Sequence, residues 1–200
     1  MTPDEFRGLL LEKTAAEIVE SCILTDDPGP YIDRNALGVL ERQARATFSL
    51  RADHALSTIV VGSAKLGFSF LEKKARKGVP RKPAYRPYVP GESDIDVAVV
   101  SPLLYMRIWS DLARFGATQT LFPWGTDIAR YMLHGWIRPD KFPPEVPKRC
   151  IDWKEMIRDI SQMTPFKYKR LRCGIFHSKY FLEIYQQRGV FTAQQIEMNQ

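Results

Sequence analysis

The sequence predicts an α+β domain in which a small mixed β-sheet is flanked by helices. Three observations carry that expectation. Apolar residues recur at helical spacing over residues 3–24 and 33–47. Thr58-Ile59-Val60-Val61 is a short β-branched run that reads as a buried strand. Residues 94–100 then alternate Asp94, Asp96 and Ala98 with Ile95, Val97 and Val99, the period of a strand. Strands interleaved with helices fit a layered sandwich.

Taken in order, Leu9, Leu10, Ala16, Ile18, Val19 and Ile23 predict one helix over 3–24. Thr2 and Glu5 form its capping box, and Pro3 stands at its first position. Asp26-Asp27-Pro28-Gly29-Pro30 is a turn that stops it. Leu37, Leu40, Ala44 and Phe48 line one side of a second helix, and Asp53 is expected to cap a short helix leading to the first strand. Gly62-Ser63 ends that strand. Residues 72–91 carry Lys73, Lys74, Arg76, Lys77, Arg81, Lys82 and Arg86 among Pro80, Pro83, Pro87 and Pro90, which predicts a long loop without a regular element. After the 94–100 strand, Ser101 caps a helix with Pro102 at its first position, Leu104, Ile108, Leu112 and Phe115 on its apolar face and Gly116 at its end. Residues 126–134 read as another helix. Pro139, Pro143, Pro144 and Pro147 mark a second loop, and Asp152 with Glu155 caps a helix to about 163. A strand over 168–176 places Leu171, Cys173 and Ile175 on one face and Arg170 and Arg172 on the other, and residues 178–188 form a last helix. The chain is expected to be one domain, with N-terminal helices over 1–50, a core over 56–115, and a helical insertion with the final strand and helix over 116–200.

Composition bounds the function. The chain has 200 residues, 44% of them hydrophobic, enough for a core and too many for general disorder. A formal net charge of +6 favours acidic partners such as nucleotides, nucleic acids or phosphorylated molecules. Cys22, Cys150 and Cys173 lie far apart and read as small buried hydrophobes of a reducing compartment. Neither they nor His54, His134 and His177 have zinc-ligand spacing. No signal peptide and no bilayer-length apolar stretch is visible, which predicts a cytoplasmic protein without a membrane partner.

The chemistry concentrates in Gly62-Ser63 and Asp94-Ile95-Asp96. Residues i and i+2 of a strand project to the same side, roughly 7 Å apart along the backbone. Two carboxylates facing one way repel unless a cation lies between them, and hard oxygen ligands of this kind suit Mg²⁺. At Gly62 the absent side chain lets a phosphate approach the backbone, while Ser63 offers a hydroxyl and an N–H.

The segment Val60-Val61-Gly62-Ser63-Ala64-Lys65-Leu66-Gly67-Phe68-Ser69, followed by Ser93-Asp94-Ile95-Asp96-Val97-Ala98-Val99, resembles the signature of the DNA polymerase β-type nucleotidyltransferase superfamily. The resemblance covers residues 58–115 and is closest to minimal bacterial nucleotidyltransferase domains. It implies a nucleotidyltransferase core in which Gly62 and Ser63 hold the triphosphate of an NTP, Lys65 assists, and Asp94 and Asp96 are the catalytic metal ligands for two Mg²⁺ ions, with Mn²⁺ as an alternative. Two departures stand out. The spacer from Ser63 to Asp94 is long, as if the basic loop were an insertion. The third carboxylate that active members carry on a later strand is missing, for the 168–176 strand offers Arg170 and Arg172 instead. Asp152 is a weak substitute, since helix capping explains it better.

Two functions follow as expectations. One is transfer of NMP from an NTP to a hydroxyl of a nucleic acid, protein or small molecule. The other is a catalytically degenerate module of the same fold that binds nucleotide, RNA or a protein partner, for example in a toxin–antitoxin or phage-defence system. The basic loop over 73–86 could reach nucleic-acid phosphates or only water, with Tyr85 and Tyr88 as stacking residues. Lys167, Lys169, Arg170, Arg172 and Lys179 form a second basic cluster. Trp109, Trp124, Trp136 and Trp153 read as core or interface residues.

Overall fold

Alternating strands and one-sided helices resolve into three layers. In a computed structural model, which describes residues 1–73, 75, 80–118, 125–139, 142, 146–164, 166 and 170–199, the elements run in chain order as α1 (Pro3–Glu12), α2 (Ala15–Ile18), α3 (Arg34–Phe48), β1 (Ser57–Val61), α4 (Ser63–Leu66), β2 (Phe68–Ser69), β3 (Arg86–Pro87), β4 (Asp94–Val100), α5 (Pro102–Thr118), α6 (Gly125–Leu133), β5 (Trp136–Ile137), α7 (Lys148–Gln162), β6 (Arg170–Phe176) and α8 (Lys179–Met198). The main sheet has the order β1-β4-β6-β5, and β2 and β3 form a separate two-stranded ribbon. β4 pairs antiparallel with β1 and parallel with β6, so the sheet is mixed and the protein is α+β.

The pleat of β4 sorts its neighbours. Ile95, Val97 and Val99 face a core built with Leu37, Leu40 and Ala44 of α3, Leu104 and Ile108 of α5, and Trp153, Met156 and Ile160 of α7. Ala98 and Val100 face the opposite core, with Phe6 and Leu10 of α1, Ile18 of α2, and Leu182, Val190 and Ala193 of α8. Apolar burial on both faces holds the layers together, at roughly 25 cal/mol per Å² removed from water. Asp94 and Asp96 belong to the second face, at the end of β4 beyond Ala98. Gly174 in β6 lies beside Ala98 in register, and a Cβ there would come within 2.3 Å of Trp136 Nε1. The bare backbone lets the Trp136 indole lie against the sheet, stacked on Phe176 with centroids 5.6 Å apart.

The expected apolar stripe of α3 is buried in full, and its helix begins at Asp33, whose carboxylate accepts from the Ala36 N–H at 2.8 Å. β4 spans the expected seven residues. Ser101 is fully buried, donates its hydroxyl to the Ala55 carbonyl at 3.0 Å and caps α5 by accepting from the Leu104 N–H. No helix among the described residues is long and apolar enough to cross a membrane.

Elsewhere local chemistry overrides the expectation. The single helix over 3–24 is broken: Lys13 and Thr14 are extended, and Thr14 with Glu17 makes a second capping box that starts α2, which continues as a π turn over Val19–Ile23. Asp53 caps nothing; its carboxylate pairs with the Arg51 guanidinium at 2.8 Å. The 72–91 stretch is not without regular structure, because β3 within it pairs with β2 and a bridge joins Lys73 to Lys82. Gly116 does not end α5, which runs on to Thr118. Asp152 does not cap α7. The helix starts a turn earlier after Pro147, and Asp152 accepts from Lys148 Nζ at 2.6 Å as an i,i+4 pair. Trp153 is core as expected and Trp109 is 42% exposed; Cys22 is only half-buried, against expectation, while Cys150 and Cys173 are buried. Lys74, Arg76, Lys77, Trp124, Pro143, Pro144, Lys167 and Lys169 lie outside the described residues.

Candidate functional site

The acid pair is delivered by a tight turn. Ser93 N–H donates to the Val89 carbonyl at 2.8 Å, and the Ser93 hydroxyl accepts from the Val89 N–H at 3.1 Å, so β4 starts immediately at Asp94. Antiparallel register with β1 sets Asp96 opposite Val61. The residue after Val61 is Gly62, and a Cβ built on it would stand 3.4 Å from Asp96 Oδ2. Gly62 has φ 69° and ψ −149°, a conformation closed to L side chains without strain. It leads into α4 through Ser63, a half-buried residue at the first helical position. Gly62, Ser63, Asp94 and Asp96 therefore converge at one edge of the sheet face.

Parallel register with β6 adds two cations. Arg170 stands beside Asp94 and Arg172 beside Asp96. Arg170 Nε lies 3.2 Å from Asp94 Oδ1, and Arg172 Nε lies 3.2 Å from Asp94 Oδ2. Arg170 also donates through Nη1 to the Glu92 carbonyl at 3.1 Å. Even so, Asp94 Oδ1 is closed to solvent and accepts no well-directed hydrogen bond. Burial pushes the Asp96 carboxyl up from 3.8 to about 6, and the neighbouring Asp94 carboxylate adds to this; Arg172, Lys73 and Arg138 pull the other way without cancelling it. Arg138 itself lies over the Trp136 ring, 5.3 Å from its centroid. Sequence reasoning did not single out Arg138, because nothing in its local pattern tells that β5 joins the far side of β6 from β4.

Asp94 and Asp96 are the residues here that could hold a divalent cation. A solvent-shielded carboxylate oxygen lacking a directed donor and a neighbouring carboxyl held above its ordinary range are both relieved by one positive ion with hard-ligand preference. Among the described residues no third carboxylate, histidine or cysteine completes a group of three with metal-ligand character. Asp152 does not join the pair: α7 packs in the layer on the other face of the sheet.

Lys65 is turned to a different task. Its side chain is buried, and its ammonium donates to Thr25 Oγ1 at 2.6 Å and to the Asp27 carbonyl. Burial lowers its pKa, with Asp27 opposing. This lysine clamps the 25–29 turn onto α4. Lys65→Met is expected to lower stability by about 1–3 kcal/mol in urea unfolding, because buried acceptors lose their donor, while nucleotide affinity is unchanged; a loss of nucleotide affinity in the folded variant would make Lys65 part of the nucleotide site.

The aromatic residues of the basic stretch are also spent on structure. Tyr88 is buried against Tyr31 with centroids 4.1 Å apart, and the Tyr85 hydroxyl donates to Glu197 while Arg7 covers its ring. Neither is a free stacking platform. Arg81 of the same stretch is engaged with Glu72.

Comparison with protein-family models, with curated proteins and with solved structures finds no match to this chain. The functional reading therefore rests on the geometry above.

Proposed function

We propose that the chain is a Mg²⁺-dependent nucleotidyltransferase with a polymerase β-like core, transferring NMP from an NTP to a hydroxyl acceptor. The observation that carries the reading is the adjacency of Gly62 to Asp96 across the β1–β4 register, with Asp94 on the same face. In this reading Asp94 and Asp96 hold the metal. When bound, the ion polarises the phosphoryl group and stabilises charge on the departing pyrophosphate. Gly62 leaves room for a phosphate against the backbone, and Ser63 donates its N–H and hydroxyl to a phosphate oxygen. Incubation with each α-labelled NTP and with RNA, protein and small-molecule acceptors tests it. Labelled product from the wild type, reduced to background in Asp94→Ala, is the expected result; no transfer with any pairing contradicts it.

A second reading is a nucleotide-binding module that keeps the fold and not the chemistry. The observation favouring it is that Arg170 and Arg172 stand next to the acids on β6, where the superfamily's third carboxylate is expected. Nucleotide binding without pyrophosphate release, equal in wild type and in the Asp94→Ala, Asp96→Ala double variant, would select this reading.

A further inference from the structure

Asp94 has more positive charge against it than a metal ligand needs. Two guanidinium groups approach its two oxygens from one side, at 3.2 Å each. Arg170 is held in place by the Glu92 carbonyl. Both arginine side chains remain open to solvent, 57% and 50% exposed, whereas that of Asp94 is 18% exposed. The arginines therefore present free N–H groups outward while one anion occupies their inner edge.

We propose that Arg170 and Arg172 form a phosphate-binding site that needs no metal, and that Asp94 is the internal anion seated in it until a phosphoryl ligand arrives. Guanidinium groups take phosphate through paired N–H donors, and a phosphate offers more charge and more acceptor oxygens than the carboxylate it displaces. The exchange trades two ion pairs whose guanidinium sides are half-exposed for a ligand with more charge and more acceptor oxygens; Asp94, 18% exposed and then without its guanidinium partners, is left to attract a cation, and Asp94→Asn removes that cost. Displacement frees both Asp94 oxygens. Phosphate binding and divalent-cation binding at the acid pair then favour each other, by linkage. The choice of a phosphoryl ligand rests on the transfer reading above; the metal-free anion site does not require that transfer occur.

The test is calorimetric titration of inorganic tripolyphosphate into the full chain in EDTA, at low and physiological salt. The wild type binds. The Arg170→Gln, Arg172→Gln double variant is weakened by about tenfold or more, the worth of one lost charge-assisted contact. Arg170→Lys, Arg172→Lys retains part of the affinity. Asp94→Asn binds more tightly than wild type, because the competing anion has gone. Circular dichroism spectra of all variants establish that the fold is kept; the two arginine side chains are exposed enough to be replaced without touching the core, and asparagine keeps the shape of Asp94. Absence of binding in EDTA by both wild type and Asp94→Asn overturns the proposal, as does affinity indifferent to the arginines. Binding that appears only with Mg²⁺ overturns it and leaves the transfer reading standing. Metal-free binding lost with the arginines, in a protein that transfers no nucleotide, upholds it and removes transfer.

Discussion

Asp96→Asn is expected to stabilise the metal-free protein by about 3 kcal/mol at pH 8 while removing its response to divalent cations. The sign follows from the direction of the shift. In the unfolded chain this carboxyl titrates at its ordinary value of 3.8, and in the fold burial and Asp94 raise it to about 6. Below about pH 3 the group is protonated in both states and costs nothing. As pH rises from 3.8 to about 6 the unfolded chain gives up this proton to water while the folded protein still holds it, so stability falls across that window, and the loss is complete by about pH 7. An asparagine of the same shape has no such charge. Melting curves in EDTA should therefore converge toward about pH 3 and separate by about 6–12 °C at pH 8, the variant melting higher. Added Mg²⁺ with a non-hydrolysable NTP raises the wild-type midpoint and leaves the variant unmoved. An Asn variant equal to or below wild type at pH 8 would mean that the arginines already neutralise the site.

Gly62→Ala tests the other half of the site. A side chain at φ 69°, ψ −149° carries backbone strain of about 1–3 kcal/mol. Its methyl group also meets Asp96 Oδ2 at 3.4 Å, in the space assigned to phosphate. The control is Gly67→Ala, at φ +89° with nothing within 4 Å of the added carbon. Both variants should unfold at lower urea concentration than wild type. Only Gly62→Ala should also lose nucleotide affinity, by about tenfold or more, on the order of one displaced hydrogen bond. Equal nucleotide binding by the two variants would remove Gly62 from the site.

How much of this was readable in the sequence depends on the range of the interaction. β4 and the apolar faces of α3, α5 and β6 follow from periodicity within each segment, and their burial matches it. The pairing of Gly62 with Asp96 was expected from motif order, although some thirty residues and the β2–β3 ribbon intervene. The break at Thr14 was legible in the Thr14-x-x-Glu17 spacing, but a continuous apolar stripe masked it. β5 has two residues, too few for alternation to register. The early start of α7 was hidden because Pro147 precedes it without a side-chain cap. Two features were beyond local reading. Lys65 reaches partners about forty residues away. The arginine contacts to Asp94 exist only because β6 returns parallel to β4, a fact of topology; the sequence indicated the polar face of that strand and not what it would face.

The central claim is that Asp94 and Asp96 jointly hold a divalent cation beside Gly62. Replacing Mg²⁺ with Fe²⁺, in the presence of a non-hydrolysable NTP, ascorbate and peroxide, releases hydroxyl radicals where the metal sits, and the cut positions can be read by mass spectrometry. Cleavage clustered at residues 61–63, 94–96 and 170–172, absent from Asp94→Ala, is the result expected. Cleavage elsewhere, or a pattern indifferent to Asp94, would contradict it.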